Sequence, residues 1–412
     1  METAVQNTIT LNAFREAFDA MPRKLEQVKA FQEFCRIGLP TTKSEEYRFT
    51  PIGKFLEANF DLSLYGQSSE ANLELETNED FISIFVCNGR LVFDEGQIGS
   101  SGISVSERSS ITAGNMADAF VALNHAFNES EIHISIPSNF SKDKTIFINH
   151  KLDSEVEQVM VNTRMVIDLA DNATCQIIES FDSTGINPVF TNMVSEYRLQ
   201  SNATLNYYRL QNDAGSYQVN NSTVRQLGKS VVNSFVFSFN GSVIRNNSIF
   251  SIEAEHCESN FYGLYFPSGK SLIDNHTVAD HRMPHCASNE LYKGIMSDNA
   301  KGIFNGKIFV RPNAQKTNAF QSNRNILLSD TAFINTKPQL EIWADDVKCS
   351  HGCTTGQLDK EALFYLQSRG LSQEQARALL LTAFASEVIE KVQDLKLKEE
   401  IKHIVSERLN FG

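Results

Sequence analysis

No stretch of the 412-residue sequence approaches the roughly 18 uninterrupted apolar residues that a membrane-spanning helix needs, so no span is expected. Met1 to Leu11 is too polar for a secretory signal, which makes a cytoplasmic location the expectation. Seven cysteines, an odd number scattered at wide intervals, fit reduced thiols better than a disulfide framework. In that setting the glycosylation triplets at Asn172, Asn202, Asn221 and Asn275 carry no sugar. Basic residues are in deficit: 37 Lys and Arg stand against 50 Asp and Glu, leaving a net charge of −13. Such a balance disfavours nucleic acid as a partner. No run of like charge is long enough to suggest a tail. Nucleotide signatures are missing too. There is no GxGxxG, and the Ser268-Gly269-Lys270-Ser271 segment only ends like a P-loop, since Leu264 occupies the position where the first glycine belongs. The chain is therefore expected to bind no nucleotide, and any ATP would be handled by a partner.

What is present reads as a globular protein, 41% apolar and 21% charged, long enough for two or three domains. From Met1 to about Asp61 apolar residues recur at helical intervals: Leu11, Phe14 and Phe18, then Leu25, Val28, Phe31 and Phe34. Pro22 separates the two helices, and Gly38 with Pro40 closes the second. Glu45, Glu46, Tyr47 and Arg48 between Thr42 and Thr50 read as a structural corner rather than a binding site.

From Phe81 the period becomes two. Asn88-Gly89 between Phe81–Val86 and Leu91–Phe93 signals a hairpin, and Ala117–Phe127 is a short helical interruption. From Ile132 to Ile342 almost every segment alternates, and LADNAT at Leu169–Thr174 is echoed by LQSNAT at Leu199–Thr204. Repeated strand and turn units with no room for crossover helices point to a solenoid of strands or a large antiparallel sandwich. Periodicity alone leaves both open. Beyond Gly356 helices return. Asp359 caps one, Ser372 and Gln375 form a capping box for the next, and Leu379, Leu380, Phe384 and Val388 lie on its apolar stripe. The predicted domains are a helical region over 1–75, a β core over 76–355 and a helical domain over 356–412. The last is either a terminal cap or a docking surface.

The richest chemistry lies in LEIWADDVKCSHGCTTG, Leu340–Gly356. If the strand through Leu340, Ile342 and Ala344 runs on, Cys349, His351 and Cys353 share one face. Thiolate and imidazole bind zinc and iron–sulfur clusters, but three such groups are one short of a closed tetrahedral site. A zinc site, a Cys–His nucleophile and buried structural thiols remain alternatives. A second group, His276, His281, His285 and Cys286 with Asp274 and Asp280, fits no common metal spacing and reads as a polar corner of the β core.

The run ADDVKCSHGCTTGQLDKEALFYLQSRGLS, Ala344–Ser372, resembles the C-terminal signature of the SufD family, scaffold subunits of the SUF iron–sulfur cluster assembly system. LPTTKSEEYRFTPI (Leu39–Ile52) and NGKIFVRPNAQKTNAFQSNRNILLSD (Asn305–Asp330) are similar to its N-terminal and core motifs. The resemblance implies a right-handed parallel β-helix between helical ends and a non-catalytic scaffold. It implies pairing with the paralogue SufB and docking of the ATPase SufC on the C-terminal helices, through Leu379, Leu380, Phe384 and Val388. It further implies a transient iron–sulfur cluster at the SufB boundary, touched by Cys349 and His351, with Cys353 as a possible third ligand where the family more often has Ala. A homodimer of the isolated chain is a further expectation. Flavin use is not legible. Two rivals are a β-solenoid carbohydrate-active enzyme, which would want a carboxylate-lined groove and a secretion signal, and SufB itself, against which the CSHG form of the motif counts.

Overall fold

The computed structural model describes residues 2–67, 81–93, 95–109, 116–141 and 145–409. The expected boundary at 75/76 lies outside them. Three helices open the chain, α1 (Glu2–Asp19), α2 (Leu25–Ile37) and α3 (Ile52–Asn59). Gly38, at φ 73°, ends α2 by bonding its N–H to the Phe34 carbonyl at 2.7 Å. Strands β1 (Phe81–Cys87) and β2 (Arg90–Phe93) form the hairpin. Asn88 and Gly89 turn it at φ 44° and 84°, positive at both central positions as such a turn requires. Helix α4 (Glu95–Ser101), strand β3 (Ser104–Arg108) and helix α5 (Ala119–Phe127) follow.

The next strands run without an intervening helix: β4 (Glu131–Ile136), β5 (Thr145–Ser154), β6 (Val159–Leu169), β7 (Thr174–Gly185), β8 (Val189–Leu199), β9 (Thr204–Asn212), β10 (Tyr217–Gln226) and β11 (Val231–Asn240). They continue as β12 (Val243–Ile252), β13 (Glu258–Tyr265), β14 (Leu272–His281), β15 (Ala287–Met296), β16 (Lys301–Val310), β17 (Asn318–Leu327), β18 (Phe333–Ile342) and β19 (Lys348–Gly356). Helices α6 (Lys360–Ser368), α7 (Gln373–Ile389) and α8 (Leu395–Leu409) close the chain.

From β4 onward each strand pairs in parallel with the strand two positions along. Odd strands thus build one sheet, ordered β19 back to β5, β1 and β2, and even strands the other, β18 back to β4 and β3. The chain coils as a parallel β-helix, not an antiparallel sandwich. The repeated corner explains the echoed hexapeptides. Asn139, Asn172 and Asn202 take φ of 60°, 60° and 58°, the left-handed conformation that Asn tolerates. Their amides bond rung to rung, Asn172 to Asn139 at 3.2 Å and Asn202 to Asn172 at 3.1 Å. The following Ala173 and Ala203 turn into the core.

Four layers result. The N-terminal helices and α5 cover the outer face of the even sheet, where Phe14, Phe34, Tyr65 and Phe120 pack with Phe190, Val219 and Ile303. Helices α7 and α8 cover the odd sheet, where Leu381, Val388 and Ile401 pack on Tyr208, Phe235 and Phe237. The corner expected at Glu45–Arg48 fastens the first of these layers. Glu46 pairs with Lys307 at 2.5 Å and with His276 at 3.4 Å, Glu45 pairs with Lys337 at 2.5 Å, and the Tyr47 hydroxyl bonds Asp118 at 2.6 Å.

Candidate functional site

The strand through Leu340 does not run on to Cys349. It ends at Ile342, the chain turns a corner, and β19 begins at Lys348 in the opposite sheet. Strands β18 and β19 each pair on one side only, so the last rung has two open edges.

The alternation nonetheless holds within β19. Register sets Cys349 on Ala319, His351 on Gln321 and Cys353 on Asn323. Those three partners are 0%, 4% and 0% exposed and face the interior, so in-register stacking puts Cys349, His351 and Cys353 on the same inward side. Among the described residues no further rung covers them. Cys349 packs against the interior cluster, while His351 and Cys353 are exposed. Burial pushes the Cys349 thiol up against a smaller opposing effect of the Ala319 backbone, so it stays protonated near neutrality unless a metal displaces the proton. Among the described residues no group of three or more His, Cys, Asp or Glu could hold a metal ion. The three side chains make a row, not a closed coordination shell.

The second group does not assemble. His276 points outward on β14, with Asp274 at 2.9 Å and Glu46 beyond it. His281 faces inward, 2.8 Å from the Ser288 hydroxyl, and burial lowers it to about 4. His285 holds a corner at φ 60° and stacks on His256 at 5.1 Å. Only that last pair fits the corner expectation. Cys286 sits inside the corner over Cys257. The hydrogen bond with Cys286 draws Cys257 down, while that bond and burial push Cys286 up.

On α7 the four apolar residues expected to dock a partner divide. Val388 is fully buried against the odd sheet, Leu380 and Phe384 are partly buried, and Leu379 is 50% exposed. Val388 is spent on holding α7 to the core, so it cannot also face a partner. Sequence reasoning found helix α6 but missed its exposed aromatics, Phe364 and Tyr365, which are 72% and 56% exposed on a helix with no buried residue. Two adjacent aromatics in a charged nine-residue helix were the available signal. It also missed Glu290 and Gln321, polar residues at inward positions of β15 and β17.

Comparison with known proteins agrees with this architecture. The family model for the SUF system FeS cluster assembly SufBD core domain matches residues 150–384. The chain is 31% identical over 397 residues to the iron–sulfur cluster assembly protein SufD of Escherichia coli, covering 92% of each. It is 30% identical over 403 residues to a SufBD family protein of Synechocystis, covering 90% of this chain and 87% of the relative. The chloroplastic protein ABCI7 of Arabidopsis thaliana is 28% identical over 392 residues, with 89% and 82% covered. With a β-helix core under the matched domain and a SufD relative aligned along nearly its whole length, this chain belongs to the SufD family of iron–sulfur cluster assembly proteins.

Proposed function

We propose that the chain is a scaffold subunit that pairs through its bare last rung with a SufB paralogue and contributes Cys349 and His351 to a transient cluster held across that boundary. The observation that carries this reading is the row of Cys349, His351 and Cys353 on an edge strand paired on one side only. Three soft donors that close no shell alone are half of a site, and an edge strand with free backbone groups is the natural place for a second chain to add. The cluster is cargo. A thiolate and a neutral imidazole hold iron with fewer charges than two thiolates would, which favours release over permanent residence. Cys353, on the same side, is a third donor or a sulfur acceptor.

The exposed Phe364, Tyr365 and Leu379 form the surface on which a SufC ATPase docks. Nucleotide then acts on the assembly from outside this chain by favouring one arrangement of the scaffold pair. Alone, the chain pairs with a second copy through the same bare rung. A carbohydrate-active enzyme would need an open groove on a sheet face, and helices occupy the outer faces of both sheets.

The test is anaerobic co-expression with SufB and SufC. His351→Ala should leave the ternary complex intact and lower its cluster iron several-fold, whereas Phe364→Asp should reduce SufC recovery. Normal cluster maturation in His351→Ala would sink the proposed site.

A further inference from the structure

His351 is the end of a column. Register places it on Gln321 of β17, and Gln321 on Glu290 of β15. Below Glu290 the column turns apolar at Phe261. Gln321 and Glu290 are 4% and 6% exposed, a depth at which an amide and a carboxyl need partners. The amide nitrogen of Gln321 has one, donating to Glu290 Oε2 at 2.7 Å. The amide oxygen has none, although it is fully enclosed. Among the described residues the His351 ring makes no hydrogen bond.

The Glu290 carboxylate decides which way the Gln321 amide faces. A carboxylate oxygen accepts an N–H and repels a carbonyl oxygen, so Nε2 turns toward Glu290 and Oε1 away from it, and the rung on the other side of Gln321 is β19. That rung carries His351. Room for the amide comes from across the interior, where Gly306 has no side chain: a Cβ built there would lie 2.1 Å from Gln321 Nε2.

We propose that Gln321, oriented by Glu290, accepts the ring N–H of His351 and thereby fixes the tautomer that leaves the other ring nitrogen bare toward the open rung. Gln321 and Glu290 are positioning residues, since neither reaches the ligand. A metal-binding histidine usually donates its second ring N–H to such an acceptor, and loss of the acceptor typically costs about 10- to 100-fold in metal affinity. The use of the bare nitrogen rests on the proposed cluster role, but the tautomer does not, and the two can be tested apart.

The experiment is a long-range proton–nitrogen correlation spectrum of the full chain with ¹⁵N-labelled histidine at pH 8, with the His351 signals assigned by their loss in His351→Gln. In the native chain one ring nitrogen of His351 should be protonated and the other bare. Gln321→Met removes the acceptor at nearly constant volume and should bring both nitrogens toward an averaged shift. The exchange Gln321→Glu with Glu290→Gln rebuilds a donor under an acceptor and should restore the single tautomer. If Gln321→Met does not fold, Glu290→Leu frees the amide and should give the same averaging. Identical tautomer populations in the native chain and a folded acceptor-lacking variant, or averaging already in the native chain, overturn the proposal. A fixed tautomer together with normal cluster content in His351→Ala would instead overturn the cluster role and leave this inference standing.

Discussion

At the scale of the residue, the interior of the coil is held by ions as well as by hydrocarbon. Burial alone would push the Glu179 carboxyl up, yet Arg209 and His150, each at 2.9 Å, hold it down to about 2, with the Tyr207 hydroxyl as a further donor. Removing one partner strands the other, so Arg209→Met should cost about 3–5 kcal/mol in urea unfolding. The double variant with Glu179→Gln should cost less than the two single changes together, because no uncompensated charge remains. His281 gives a pH signature of the opposite kind. Its folded value, about 4, lies below the ordinary 6.5, so the unfolded chain takes up a proton first and stability falls as pH drops from 6.5 toward 4. Up to roughly 3 kcal/mol is at stake. His281→Gln should flatten that limb of the stability curve, as followed by denaturant melts at stepped pH. Glu290 works on the other side. Burial raises it to about 7, so stability is lost as pH rises from 4.5 to 7, and Glu290→Gln should recover it at pH 8.

At the scale of the element, α7 and α8 sit on the odd sheet through an apolar layer and one buried cation. Lys293 leaves β15 to reach the Glu387 carboxylate and the Phe384 carbonyl, the latter at 2.9 Å, and lies 4.2 Å from the Phe384 ring centre. Lys293→Met keeps the stem and drops the charge, taking one donor from the Phe384 carbonyl and leaving Glu387 with Arg324, at 3.3 Å, as its remaining cation. Amide exchange in α7 should then speed up about 10- to 100-fold, for roughly 1.5–3 kcal/mol of lost local stability, with β7 to β13 unaffected. The sequence announced many such elements. Asp359 and Ser372 cap α6 and α7 as expected, Asn88-Gly89 turns its hairpin, and the LADNAT and LQSNAT corners recur. What it hid has one cause. A period of two is the same in either sheet, so nothing between Leu340 and Lys348 marked the change of sheet. The fate of Val388 was hidden similarly, because an apolar stripe has the same spacing whether it meets its own core or a stranger. Cys349, His351 and Cys353 were legible as one row because alternation survives within β19, whereas the Gln321 and Glu290 beneath them needed the register between rungs.

At the scale of the whole molecule, the coil is a stack in which each rung is templated by the one before, with helical layers on both flanks. The described helices offer none that is long and apolar enough to cross a membrane. Apolar side chains gather at the last rungs instead, with Phe320, Phe333, Ile342 and Trp343 all exposed. On the proposed reading these surround the partner's contact. Phe333→Asp with Ile342→Asp should abolish concentration-dependent self-association in sedimentation, while the melting temperature of the monomer moves little, since both side chains are already in water.

The two ends of the stack are unlike. At the first, β2 and β3 lie antiparallel to their neighbours, and Ile98 of α4 is buried in the interior cluster. A coil plugged there and raw at the other end can be extended once and in one direction. Two such bodies meeting raw end to raw end leave only plugs outward, so the growth that turns other stacked strands into filaments halts at a pair.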